Sequence, residues 1–335
     1  MARYRSGKPA GALLAALLTA AGCARGPALE HGEHPLAGRT WALESGRFLE
    51  RDELLEQLQS VDAVVLGEQH TNPRHHQVQA ALLEGLVAAG RSPAVAFEML
   101  DRRRQEAVER VREAHPDDVD ALAAAVDWSA TGWPAWELYR PVFRVAYRAD
   151  LPILAANLDR PEVRELARGG WDALAPETAR ALGSPPQLPE AEGEAMAATL
   201  RTSHCDLLPE SMVPGMLRVQ QARNALLARA LAEGVRQAGS AVLITGNGHA
   251  RTDRGAPWAL EVMEPELTSL ALAILEVQPG LDAPESYALG PAGLPYQFVH
   301  FTAALPATDP CAELRKRFQG SDGGGAAPAG SSPQE

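Results

Sequence analysis

The sequence predicts an α/β fold: a mostly parallel sheet flanked by helices, with a smaller helical subdomain. Two observations point there. Short β-branched or apolar runs recur, each followed by a helical pattern, and that alternation covers both faces of a parallel sheet. Polar residues then gather where the runs end, which is where open parallel sheets bind ligands.

Six runs read as strands: Val61–Leu66, Ala94–Phe97, Ile153–Ala156, Ala241–Thr245, Ser269–Val277 and Gln297–Ala303. A helix from about Pro73 to Ala89 follows the first, with Pro at its start and Gly90 past its end as capping asymmetry favours. An Arg- and Glu-rich helix from Arg102 follows the second, and one opening at Pro161 follows the third. Two parts break the alternation. Residues 117–150 are helical and aromatic-rich, with Trp128, Trp133, Trp136, Tyr139, Phe143 and Tyr147. Residues 170–238 hold a Pro-rich break and then a long helix from about Met212 to Gln237. Both should form a helical layer or subdomain beside the sheet.

Residues 1–22 read as a lipoprotein signal peptide. Arg3, Arg5 and Lys8 precede an Ala/Leu run, Gly11–Ala21, which is about half of what spans a bilayer. The run ends in Leu-Thr-Ala-Ala-Gly-Cys, similar to the lipobox of lipoprotein signal peptidase, with Ala20 where Leu is usual. Cys23 is then the expected lipid-bearing residue. Ala24, where an Asp would retain the protein, points to the outer membrane. Residues 23–38 lack periodicity and are expected as a tether, 39–318 as the folded domain, and 319–335 as a disordered tail. With Cys23 acylated, Cys205 and Cys311 remain. The oxidising compartment and the even count are the grounds for expecting them to pair, although two separate buried thiols satisfy the sequence equally.

The formal net charge is −12, and nearly all positive charge is Arg. This argues against nucleic acid, which selects a basic face. No apolar stretch after the signal is long enough to span a membrane.

The chemistry lies at the strand ends. The first strand runs into Gly67-Glu68-Gln69-His70 and the fourth into Gly246-Asn247-Gly248-His249, both Gly-x-x-His. The second strand ends at Glu98, and the third at Asn157 with Arg160 just beyond. Glu68, His70, Glu98, Asn157, Arg160 and His249 should share one rim, with the glycines permitting close backbone approach. Two His and two carboxylates suit a divalent metal such as zinc or manganese, a His base oriented by a carboxylate, or the shell around an iron porphyrin. Of the adjacent His75 and His76, only one should face the rim, the other being exposed. His115, before Pro116, should be solvated.

These segments resemble the ChaN family of haem-binding lipoproteins, in the superfamily of the Tiki, TraB and erythromycin-esterase-like proteins. The resemblance runs over most of residues 60–315, through LGEQHTNPRHHQVQ (66–79), AFEML (96–100), DWSATGWPAWELYRPVF (127–143), AANLDR (155–160), SHCDLLPE (203–210), QQARNALLA (220–228), ITGNGHARTDRGAPW (244–258) and DPC (309–311). Two positions depart from the family pattern: Asn224 stands where Asp is usual, and Asp206 where Gly is usual.

The resemblance implies haem binding in iron uptake or storage, porphyrin held between the subunits of a homodimer, and an axial tyrosine. Tyr139 is the expected iron ligand, because it lies in the aromatic segment and Arg140 beside it would ease ionisation. His70, His249 and Arg160 are the further expected haem contacts. The wider superfamily implies an alternative, a metal-dependent hydrolase with His70 or His249 as base and Glu68 and Glu98 as ligands or orienters. The expected location is the outer membrane, lipid-anchored and facing the periplasm, with an outer-membrane haem receptor as a further partner.

Overall fold

A computed structural model describes residues 28–183, 185–287, 293–307, 309, 311, 312 and 315. The signal segment, Cys23 and the tail at 319–335 lie outside the described residues. Eight strands form one sheet: β1 (Thr40–Ala42), β2 (Arg47–Leu49), β3 (Ala63–Glu68), β4 (Ala94–Asp101), β5 (Ile153–Asn157), β6 (Ala241–Gly246), β7 (Ser269–Glu276) and β8 (Phe298–Thr302). Their order is β2-β1-β8-β7-β3-β6-β4-β5. From β8 to β5 every pairing is parallel, while β1 runs antiparallel to β8 and β2.

The six expected strands are the parallel set. The β1–β2 hairpin escaped the sequence because strands of three residues leave no period to read. β4 continues past Phe97 to Asp101, with a register shift against β5 between those residues. All six residues of β3 and of β6 are buried, as the unbroken apolar runs AVVL and AVLI require of central strands.

Helices Arg51–Gln59, Pro73–Ala88, Gln105–Ala114 and Trp136–Arg148 cover one face, with Leu83, Phe97, Phe143 and Ile244 at its core. The C-terminal half of the helix Val213–Ala238 and the helix Ala256–Met263 cover the other, around Leu227, Leu231, Leu243 and Leu260. Beside the sheet, the first half of Val213–Ala238 meets helices Arg160–Gly169 and Pro176–Leu182 in a small cluster of Leu166, Leu182, Val219 and Leu226. Helix Glu190–Ser203 packs on this layer through Met196, Ala197 and Leu200. No helix among the described residues is long and apolar enough to cross a membrane.

The open side of β5 is closed by one side chain: Gln105 Nε2 donates to Ile153 O (3.1 Å), and Ala155 N donates to Gln105 Oε1 (2.7 Å). Past the end of β8, Glu30 pairs antiparallel with Ala304, and Leu36 is buried in the core. The folded body therefore begins inside the span 23–38 that was expected as tether. Cys205 and Cys311 are joined by a disulfide, with their Cα atoms 5.7 Å apart.

Candidate functional site

β3 and β6 are neighbours, with Gly67 opposite Thr245 and Glu68 opposite Gly246, so the two Gly-x-x-His segments leave the sheet side by side. The glycines are required there. A Cβ on Gly67 would sit 2.4 Å from Asn247 Oδ1, and one on Gly246 would sit 2.9 Å from His70 Nε2. The strand ends thus carry two carboxylate–imidazole units in contact.

The first unit is Glu68 with two histidines. Glu68 is wholly buried; its Oε1 lies 2.8 Å from His70 Nδ1 and its Oε2 2.6 Å from His76 Nδ1. His76 Nε2 faces the His70 carbonyl at 3.1 Å. A carbonyl only accepts, so the His76 proton on Nε2 is fixed. Burial alone would raise the Glu68 pKa, yet His76 and His70 bring it down to about 2. The second unit is Glu98 with His249. Glu98 Oε2 accepts from Thr245 Oγ1 (2.7 Å) and Gly246 N (2.8 Å), and Oε1 lies 3.6 Å from His249 Nε2. Burial opposes ionisation of Glu98, but His249 and His70 hold its pKa below the ordinary carboxylate value.

Asn224 sets the state of His249. Its Nδ2 donates to Arg254 O (2.8 Å), which turns Oδ1 toward His249 Nδ1 at 2.6 Å. An amide oxygen only accepts, so Nδ1 carries a proton and Nε2 is directed at Glu98. Asn224 joins the site unannounced by any strand-end position, although it lies in the QQARNALLA segment.

Other expectations are corrected. His75 and His76 are both buried, because helix Pro73–Ala88 is enclosed by the sheet on one side and helix Trp136–Arg148 on the other. His75 Nδ1 accepts from Gln69 N (2.8 Å), and its Nε2 donates to Thr302 Oγ1 (2.9 Å). Asn157 shares the strand ends but works locally, donating to Glu98 O and accepting from Leu158 N. Arg160 is exposed and reaches Thr131 O (2.9 Å), away from the carboxylates. His115 is exposed.

Tyr139 is fully buried, with its hydroxyl 3.3 Å from His70 Nδ1 and its ring 4.3 Å from the His76 ring. Burial, then the charges of Glu68 and Glu98, push its pKa well above the ordinary value. Arg140 does not ease that ionisation, because its guanidinium is paired with Asp120 on the surface. Most of the aromatic segment is core: Phe143 stacks on Phe97 at 3.9 Å and Trp128 packs on Trp136 and Tyr139. Trp133, like Tyr139, meets the site, edge-on to His70 at 4.9 Å.

Beside the second unit opens a cavity of about 580 Å3. Met196, Leu200, Leu275, Leu281, Tyr287 and Tyr296 give it apolar and aromatic walls. His249, Asn224, Arg251, Arg254 and Gln69 supply the polar wall. Arg254 is buried, holding Thr199 Oγ1 at 3.0 Å and Glu192 Oε2 at 3.4 Å. Among the described residues no group of three or more His, Cys, Asp or Glu is arranged to hold a metal ion.

A family profile described as haem-binding uptake, Tiki superfamily, ChaN matches residues 54–260, more than half of the chain. The chain belongs to the ChaN family. A solved ChaN of Campylobacter jejuni, described for cofacial heme binding, shares its fold at 18% identity and a TM-score of 0.60, covering 78% of this chain and 95% of that one. The type III effector HopBA1 is more distant, at 15% identity and TM-score 0.43, covering 76% of this chain and 93% of its own. A mutant of the erythromycin esterase EreC, in its open conformation, gives 13% identity and TM-score 0.38, covering 77% of this chain and 80% of that one. A comparison with curated protein sequences finds no match. The ChaN profile match spans both Gly-x-x-His segments of this chain.

Proposed function

We propose that this protein binds haem for iron uptake or storage in the bacterial envelope. The observation that carries this is the cavity beside His249. Its volume, about 580 Å3, lies in the range of small-molecule sites. Its walls suit a flat, largely apolar ligand: Met196, Leu200, Tyr287 and Tyr296 for the ring, while Arg251, paired with Asp253, and Arg254, facing Glu192 at 3.4 Å, give it a cationic side toward which carboxylate groups would turn. His249, Tyr287 and Tyr296 are its nitrogen and oxygen donors, and bound haem would bring an iron centre able to accept one of them. Tyr139 and His70 do not line this cavity, nor does Arg160. The chain's own part is to exclude water, to hold His249 in one tautomer through Asn224, and to neutralise carboxylates.

Titration of the full chain with hemin should give a Soret band that saturates at a fixed stoichiometry. His249→Ala or Tyr296→Phe should shift that band, and Tyr139→Phe should leave it in place. A shift in Tyr139→Phe alone would move the porphyrin to the Trp133 side, and no uptake at all would end the haem reading. His115→Ala should bind hemin as wild type does.

The reading extends to lipid attachment at Cys23 and to the outer membrane, facing the periplasm. The cationic start, short apolar run and Leu-Thr-Ala-Ala-Gly-Cys support it. Cys23→Ser should release the protein from the membrane fraction; retention at wild-type levels would place the anchor elsewhere. A homodimer and supply by an outer-membrane haem receptor belong to the same proposal, and sedimentation with and without hemin tests the first. One observation favours a second reading, hydrolysis of an ester or peptide. Glu98, His249 and Asn224 form an oriented carboxylate–imidazole–amide series at a cavity wall. Elemental analysis for zinc or manganese, with hydrolysis lost in His249→Ala, would support it.

A further inference from the structure

Two parts of the cavity wall come from distant chain segments. Helix Glu190–Ser203 supplies Met196, Thr199, Leu200, Thr202 and Ser203. Glu276, at the end of β7, belongs to the other part, and its Oε1 accepts from Leu305 N (3.0 Å) in the segment that follows β8. That segment leads to Cys311, whose bridge returns to Cys205, two residues after Ser203. The disulfide therefore ties one wall to the other across a sequence separation of 106. The helix's other holds are Met196, Ala197 and Leu200, which it buries, the Arg201–Glu210 ion pair on the surface, and Arg254, which grips Thr199 and, at a stretched 3.4 Å, Glu192. Its exit corner is costly too, since Cys205 and Asp206 both stand at positive φ, 58° and 55°.

We propose that the Cys205–Cys311 bridge is a redox latch on the cavity, pinning the Glu190–Ser203 wall when oxidised and freeing it, with its ligand, when reduced. The ligand half rests on the haem reading above. Reduction by a dithiol balances: one thiolate attacks a bridge sulfur, forms a mixed disulfide and releases the other cysteine, and the second thiol resolves the intermediate. Two electrons pass to the bridge, the dithiol leaves as a disulfide, and its two protons end on Cys205 and Cys311.

Hydrogen exchange on the full chain, oxidised and after dithiothreitol, tests this, with Cys205→Ser/Cys311→Ser measured without reductant. Amides over 196–203 should exchange about tenfold faster or more in the reduced chain and in the double variant, while β3 and β6 keep their protection. Hemin transfer to an apo-globin acceptor should quicken at least about threefold in the double variant. Unchanged exchange over 196–203 overturns the latch. So does equal opening of β3 and β6, which would make the bridge a support of the whole fold, and so does an unchanged transfer rate. If oxidised wild type takes up no hemin, the haem reading fails by itself, and the exchange contrast alone decides for or against the latch.

Discussion

Asp206 occupies a left-handed backbone position, φ 55°, that glycine adopts without cost. Asp206→Gly should therefore stabilise the protein by up to about 1 kcal/mol, read as a rise in the urea midpoint. The sequence showed this residue as a departure from the family's glycine, but only the φ value gives the reason. Glu68 is the residue whose loss should cost most. Glu68→Gln leaves His70 and His76 without their common carboxylate in a fully buried place, and should destabilise by about 3–5 kcal/mol. Acid should act on the same region. Burial lowers the pKa of His75 to about 3 and that of His300 to about 4, whereas both would take up protons near 6.5 in the unfolded chain. The unfolded state thus binds more protons below that pH, and stability falls as pH drops from 6.5 toward 4 and then 3. Glu68 adds to the loss below about 4.5, as it approaches its folded pKa near 2. His300→Gln should flatten the dependence of the urea midpoint on pH between 6.5 and 4; an unaltered slope would show that His300 titrates normally. The rim residues Glu68, His70, Glu98 and His249 were legible because each follows within a few residues of an apolar run. His76 was not, since a helical period cannot reveal that both sides of the helix are covered.

At the scale of elements, the Pro73–Ala88 helix illustrates the same limit. Asn72 accepts from Arg74 N and Pro73 opens the helix, so its start was plain in the sequence. Its surroundings depend on where helix Trp136–Arg148 lands, a long-range packing matter. The β1–β2 hairpin was missed for shortness, and the reach of β4 to Asp101 because its register shift breaks the pattern. β5 carries the clearest prediction. Gln105 substitutes for a neighbouring strand by both donating to and accepting from it. Gln105→Ala should lose about 1–3 kcal/mol and raise the concentration-dependent aggregation rate, since it bares an edge that can pair with another chain. Light scattering at matched concentrations checks this; equal rates would mean that the edge is protected otherwise.

For the whole molecule, the parallel sheet was readable because six apolar runs alternate with helices, while the order of strands was not, since it is decided by crossovers rather than by any local pattern. The pairing of Glu30 with Ala304 has a spatial consequence. Ala304 lies just past the carboxyl end of β8, the same end of the parallel sheet at which β3 and β6 release their histidines, and Leu305 beside it bonds Glu276 in the cavity wall. Cys23 precedes Glu30 by seven residues, a reach of at most about 25 Å when fully extended. On the proposal that Cys23 carries lipid, the leash leaves the body beside the mouth of the cavity and is too short to let it turn away. A greasy cargo would then change hands at the bilayer surface, crossing little open water on its way in or out.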